Sequence, residues 1–117
     1  RRVSLNAVRL AIAIGITTAP SPDDLDLERY RVLLKDPDEG MRIAAARVLV
    51  ERGDIAGRAV LLQALQDPDS HHRIDAVLAL QQMTDPEILA AIKQAAKVER
   101  HPLAHLVFKK VLKQMDP

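Results

Sequence analysis

The residues in this 117-residue sequence best suited to metal or proton chemistry are four histidines, His71, His72, His101 and His105. His101 and His105 stand four apart, a spacing that puts two imidazoles on one helix face. Pro102 starts a helix between them, however, and no second pair accompanies them. His71 and His72 are adjacent, so their side chains diverge around a helix. Cysteine is absent, which excludes disulfides, thiol catalysis and Cys-ligated metal sites. Hydroxyl candidates are Ser4, Ser21, Ser70, Thr17, Thr18 and Thr84, and none sits in a G-x-S-x-G setting. The acids Asp23, Asp24, Asp36, Asp38, Asp67 and Asp69 cluster where helix caps belong. Paired carboxylates for glycoside hydrolysis need a cleft that shifts their pKa values, and nothing in the pattern requires one. Gly15, Gly40, Gly53 and Gly57 are scattered singly, so a phosphate-cradling loop is missing. The expectation is a protein without a catalytic constellation, cofactor or metal.

The elements that position these residues follow from composition and repetition. Hydrophobic residues make up 48% of the chain, enough for a buried core. Ala 17 and Leu 16 dominate that fraction, with one Tyr, one Phe and no Trp. Such a core suits closely packed helices better than a sheet. A net charge of +1 aims no strong field at nucleic acid or an anionic membrane. Shifted by 31 residues, LKDPDEGMRIAAARVL (34–49) overlies LQDPDSHHRIDAVLAL (65–80) with eight identities, among them Asp36/Asp67, Pro37/Pro68, Asp38/Asp69 and Arg42/Arg73. Weaker copies flank them: a shift of 32 carries Ile74, Ala76 and Leu80 onto Leu106, Phe108 and Leu112. A backward shift of 38 carries Arg47 onto Arg9 and Gly53 onto Gly15. A period of this size marks stacked helical pairs.

Punctuation agrees with the repeat. Ser21-Pro22, Asp36-Pro37, Asp67-Pro68 and Asp85-Pro86 each set an N-cap before a proline at the first helical position. Glu39 is placed to complete a capping box with Asp36, and Gly15 and Gly53 fall at expected C-caps. Helices are predicted at 3–15, 22–35, 37–52, 55–66, 68–83, 86–98 and 102–115. These make a half repeat (3–15) and three antiparallel pairs (22–52, 55–83, 86–115) in one repeat domain. Ala45 and Ala76 would let neighbouring helices approach closely. The opening RRVSLNAVRLAIAIGI has the look of a signal peptide, but Asn6 and Arg9 interrupt its apolar run, and a buried helix is the plainer reading. The run is too short to span a bilayer. It is apolar nearly all round, which calls for cover on more than one face. Either this is a fragment of a longer protein, or a second copy supplies that cover as a homodimer.

The pattern D-P-D-x-x-x-R-I-x-A-x-x-x-L followed by G-D or T-D resembles the HEAT repeat, and its ~31-residue period is similar to the short bacterial HEAT-like repeats of the phycobilisome-lyase type. The resemblance covers residues 22–115 as three pairs and 3–15 as a half, and is weakest in the last pair, where Glu99-Arg100-His101 replaces Asp-Pro-Asp and His105 replaces the arginine. It implies an all-α, right-handed α-solenoid of about seven helices. It further implies that Arg42 and Arg73 form a structural ladder between repeats, with Asp36, Asp54, Asp67 and Asp85 as candidate partners. The implied role is an interaction scaffold that binds a protein partner, or the rest of a longer chain, on a concave face lined by the second helices.

Outward positions of those helices form ladders across the repeats. They run Arg9, Arg47, Leu78, Lys110; Ala13, Glu51, Gln82, Gln114; Asn6, Ala44, Asp75, Val107; and Met41, His72, Ala104. The candidate partner-binding residues are therefore Arg9, Met41, Arg47, Glu51, His72, Asp75, Leu78, Gln82, Lys110 and Gln114, with Met41 and Leu78 as exposed apolar points. An ordinary solvated helix face explains the same positions equally well. Two other functions are weighed: nucleic-acid binding through the Arg9–Arg47–Lys110 row, against which the low charge and two aromatic residues count, and a bilin lyase or chaperone-like subunit, for which the aromatic-poor, Cys-free composition offers little grip. The compartment is not fixed by the sequence, although the cytoplasm is favoured.

Overall fold

The computed structural model describes residues 5–6, 9–10, 24–83 and 85–116. Six α-helices occur among them: α1 (Asp24–Leu33), α2 (Glu39–Glu51), α3 (Arg58–Ala64), α4 (Ser70–Leu80), α5 (Pro86–Val98) and α6 (Pro102–Met115). A 3-10 turn, Ile55–Gly57, leads into α3, and no strand is present among the described residues. Residues 5–6 and 9–10 are also helical, whereas the rest of the predicted first helix, the Ser21-Pro22 cap and Gly15 lie outside the described residues.

Proline and side-chain capping explain where the helices begin. Asp85 accepts the Glu87 N–H at 2.9 Å, and Pro86 occupies the first helical position of α5, as expected. The two D-P-D turns start their helices differently from expectation. Asp38 caps α2 by accepting the Met41 N–H, and Asp69 caps α4 by accepting the His71 N–H, both at 2.8 Å. Asp36 and Asp67 instead fold back to accept the N–H of Asp38 and Asp69, at 2.9 and 2.8 Å. The prolines sit between these two acids, outside the helices, so Glu39 is the first residue of α2 and forms no capping box with Asp36. Each of these first acids uses its oxygen to accept the N–H two residues on, which belongs to the cap residue and not to the helix that begins three residues on.

The end of α2 uses a glycine for its left-handed conformation. Gly53 has φ +80°; its N–H donates to Val50 O at 3.0 Å, and the Asp54 N–H reaches back to Leu49 O at 2.8 Å. Gly57 serves a different need. A Cβ there would stand 2.5 Å from the Ala46 carbonyl oxygen, so the 3-10 turn lies against the α2 backbone only because the side chain is absent.

Backbone contacts gather into two compact units, 1–60 and 61–117. In the first, α1 packs on α2 and α2 on the 3-10 turn. Leu27, Tyr30, Leu33, Met41, Ala45, Val48 and Leu49 form its core, with Leu5 and Leu34 against them. In the second, α5 and α6 pair through the short connection 99–101, and α6 also packs along α4. Consecutive second helices are therefore neighbours there, and the buried residues include Ala76, Val77, Leu80, Ile92, Ala104 and Phe108. Ala45 and Ala76 are both fully buried at matching positions of the repeat.

Candidate partner-binding face

The arginines of the repeat motif latch their own turns before they do anything else. Arg42 donates from Nη1 to the carbonyls of Asp36 (2.6 Å) and Pro37 (3.1 Å). Arg73 repeats this one period later, donating to Asp67 O (2.7 Å) and Pro68 O (3.0 Å). The D-P-D-x-x-x-R spacing thus places a guanidinium over the two turn carbonyls that the following helix leaves unsatisfied. Both arginines thus meet the motif aspartates Asp36 and Asp67 at their backbone carbonyls.

Arg73 has donors left over and directs them to Glu99. Nε and Nη2 meet the two carboxylate oxygens at 2.7 and 2.9 Å, and only 2% of the Glu99 side chain remains exposed. Glu99 also accepts the His101 N–H at 3.0 Å, as Asp36 and Asp67 do in their turns. Glu99-Arg100-His101 therefore replaces Asp-Pro-Asp in geometry as well as in position, and His101 becomes the N-cap of α6 through its Nδ1. The Arg73 guanidinium holds the Glu99 carboxyl below the usual glutamate range, with the backbone N–H groups assisting and burial opposing.

Arg9 belongs to this same arrangement. It forms an ion pair with Asp36, which lies 27 positions further on, as Glu99 lies 26 after Arg73. Arg9, expected on the partner-binding face from the backward shift of 38, is thus engaged with Asp36 while its side chain stays 39% exposed. The sequence carries the signal at a shift of 33, where VRLAIA (8–13) overlies MRIAAA (41–46) with Arg, Ala and Ala identical. Asp54 pairs with Arg31 of α1 at 2.6 Å, and also accepts the Ala56 N–H at 2.9 Å. Burial pushes its carboxyl up, but the Ala56 N–H and Arg31 outweigh it and hold the group below the usual range. Sequence reasoning did not anticipate Glu99, Arg31 or the capping role of His101.

The expected surface positions divide. Arg47 and Glu51 on α2, Asp75 and Leu78 on α4, and Gln82 in the turn that follows it reach solvent fully or in part, as do Lys110 and Gln114 on α6. Leu78 is 37% exposed. In the second unit the neighbouring helices α4 and α6 carry Asp75, Leu78, Lys110 and Gln114 at matching register, with Gln82 just past the end of α4. Met41, expected as an exposed apolar point, is 8% exposed and packs in the core of the first unit. His72 is half-buried, and its Nδ1 lies 3.2 Å from Asp67 Oδ1. Ala104, the third member of that ladder, is buried. Met41 and Ala104 thus turn inward, whereas His72 stays half-exposed like Arg47 and Asp75.

The second unit also holds a groove of about 790 Å³, lined along its length by Leu62, Leu65, Ala91, Ala95 and Val98. Glu87 and Arg100 line it too, as does the Arg73–Glu99 pair, whose charges already satisfy each other. Gln66, Asp67 and Gln94 complete a lining that mixes apolar and polar side chains.

The family model for HEAT repeats matches residues 27–106. The chain belongs to the HEAT repeat family. No curated protein and no solved structure gave a match. The all-helical architecture, the paired helices and the α4–α6 packing accord with HEAT repeats, which commonly mediate protein interactions and are generally non-enzymatic scaffolds. Among the described residues, no helix is long and apolar enough to cross a membrane.

Proposed function

We propose that this chain is a non-catalytic protein-interaction module whose partner contacts are the outward positions of its second helices, those of the α4–α6 pair in the second unit and, as a separate surface, those of α2 in the first. The observation carrying this reading is the side-by-side packing of α4 and α6, with Leu78 left 37% exposed among Asp75, Gln82, Lys110 and Gln114. A rigid helix pair with an apolar point inside a polar surround is the pattern of a small interface centre with a solvated rim. Nucleic acid is disfavoured as the ligand, because Arg9 of the supposed basic row is engaged with Asp36.

Alanine at Arg47, Glu51, Asp75 and Gln82 together tests the reading. The helical circular dichroism and melting temperature are expected to stay near the parent values, while partner proteins captured by the parent chain are lost. Undiminished capture by the quadruple variant would remove the second-helix face from consideration.

A further inference from the structure

The outer side of α6 departs from the repeat in a directed way. At matching register, Lys109 stands where α2 and α4 carry Ala46 and Val77, both fully buried. Lys113 stands where they carry Val50, which is buried, and Gln81, which is half-buried. Leu106 and Leu112 keep the apolar character of Ile43/Ile74 and Leu49/Leu80, yet Leu106 is 61% exposed. Residues 106, 109, 112 and 113 recur at helical spacing and share one face, on which leucine and lysine alternate. Lys110, four residues after Leu106, lies about 40° round the helix from it, at the border between this face and the surface described above.

Charge on this hairpin is one-sided. Between Pro86 and Met115 lie Lys93, Lys97, Arg100, Lys109, Lys110 and Lys113 against Glu87 and Glu99, and Glu99 is already engaged by Arg73. Lys93 pairs with Asp116 at 2.8 Å, both half-exposed. Lys109 and Lys113 make no ion pair among the described residues. Lys93, Lys109, Leu112, Lys113 and Asp116 line an open depression of about 380 Å³.

We propose that this depression and the adjoining Leu106 form a docking site for an acidic amphipathic segment of a partner protein, one that alternates carboxylates with leucine-sized side chains. Two features select that occupant. The lysine ammonium groups complement carboxylates, and the interleaved leucines complement apolar side chains in the same stripe. Phosphates of a nucleic acid would satisfy the first and leave Leu106 wet. The face has no aromatic residue to seat in a lipid interface, and its lysines surround a hollow rather than flank a protruding apolar ridge.

The test uses the full chain and a fluorescein-labelled peptide of leucines and glutamates at helical spacing, followed by anisotropy. Saturable binding is expected, weakening with added salt. Affinity is expected to drop at least about tenfold in Lys109→Glu/Lys113→Glu and several-fold in Leu106→Ala, with circular dichroism unchanged. Lys109→Arg/Lys113→Arg is expected to retain binding, and alanine at Arg47, Glu51, Asp75 and Gln82 to leave it intact. Loss of binding in that quadruple variant instead would assign the peptide to the second-helix face and overturn the proposal. No saturable binding, equal affinity for a scrambled peptide of the same composition, or tighter binding to oligo-dT or phosphatidylserine vesicles would also overturn it.

Discussion

A guanidinium presents five N–H donors in a rigid fork, more than one carboxylate can accept. Arg73 distributes them over two turn carbonyls and both oxygens of Glu99, so each end of the contact supports the other. Removing the acid leaves a guanidinium that is only 19% exposed with half its partners gone. Glu99→Ala is expected to lower the unfolding free energy by about 2 kcal/mol at neutral pH, measured by urea denaturation. Arg73→Lys is expected to recover little, because an ammonium cannot bridge the carbonyls and carboxylate together. The same pair sets a pH dependence. Glu99 has a folded pKa below its unfolded one, so its contribution is complete above the ordinary glutamate value and is lost as pH falls through the lower folded value. Stability of the parent chain should therefore decline as pH drops below about 4.3, and Glu99→Gln should start lower at neutral pH and decline less steeply. A parent and a Glu99→Gln variant with parallel pH profiles would contradict this. Asp54, also held below its usual range, adds to the decline in the same direction.

At the scale of elements, the turn between paired helices is built from a repeated division of labour. The first acid closes the turn, proline fixes its φ, the second acid caps the helix, and the arginine covers the carbonyls. Asp38→Ala and Asp69→Ala should each cost about 1 kcal/mol, the ordinary value of an N-cap, as read from thermal melts. Two glycines separate strain from crowding. Gly53→Ala has open space around it and should cost about 1 kcal/mol through its positive φ alone. Gly57→Ala should also destabilise, although helix propensity would favour alanine, because its Cβ meets the Ala46 backbone, which cannot move aside as a side chain can. A Gly57→Ala protein that melts higher than its parent would show that the 3-10 turn has room to shift.

At the scale of the molecule, each unit buries alanines beside leucines and isoleucines, and Tyr30 and Phe108 bring the only rings in the sequence. Phe108, the one phenylalanine, is fully buried on α6, which packs on both α4 and α5. Phe108→Ala should therefore cost about 3–5 kcal/mol, with chemical denaturation as the readout, whereas Leu103→Ala on the exposed side of the same helix should change little. An effect of Phe108→Ala below 1 kcal/mol would mean that α6 repacks across its neighbours.

Much of this architecture is legible from the residues. The helices 86–98 and 102–115, the alanine positions 45 and 76, and the stop at Gly53 all follow from forces that act within a few residues: proline's fixed φ, the reach of a capping oxygen, and the period of an apolar stripe. Even the replacement of Asp-Pro-Asp by Glu99-Arg100-His101 is visible in the register. What the chain order does not disclose is which charge meets which. Arg73 finds Glu99, Arg9 finds Asp36 and Arg31 finds Asp54 across gaps of more than twenty residues, where any nearby acid satisfies the same pattern. Met41 likewise turns inward by the way α1 lies on α2. Long-range pairing depends on how folded helices approach, and a periodic sequence repeats its local instructions without recording that approach.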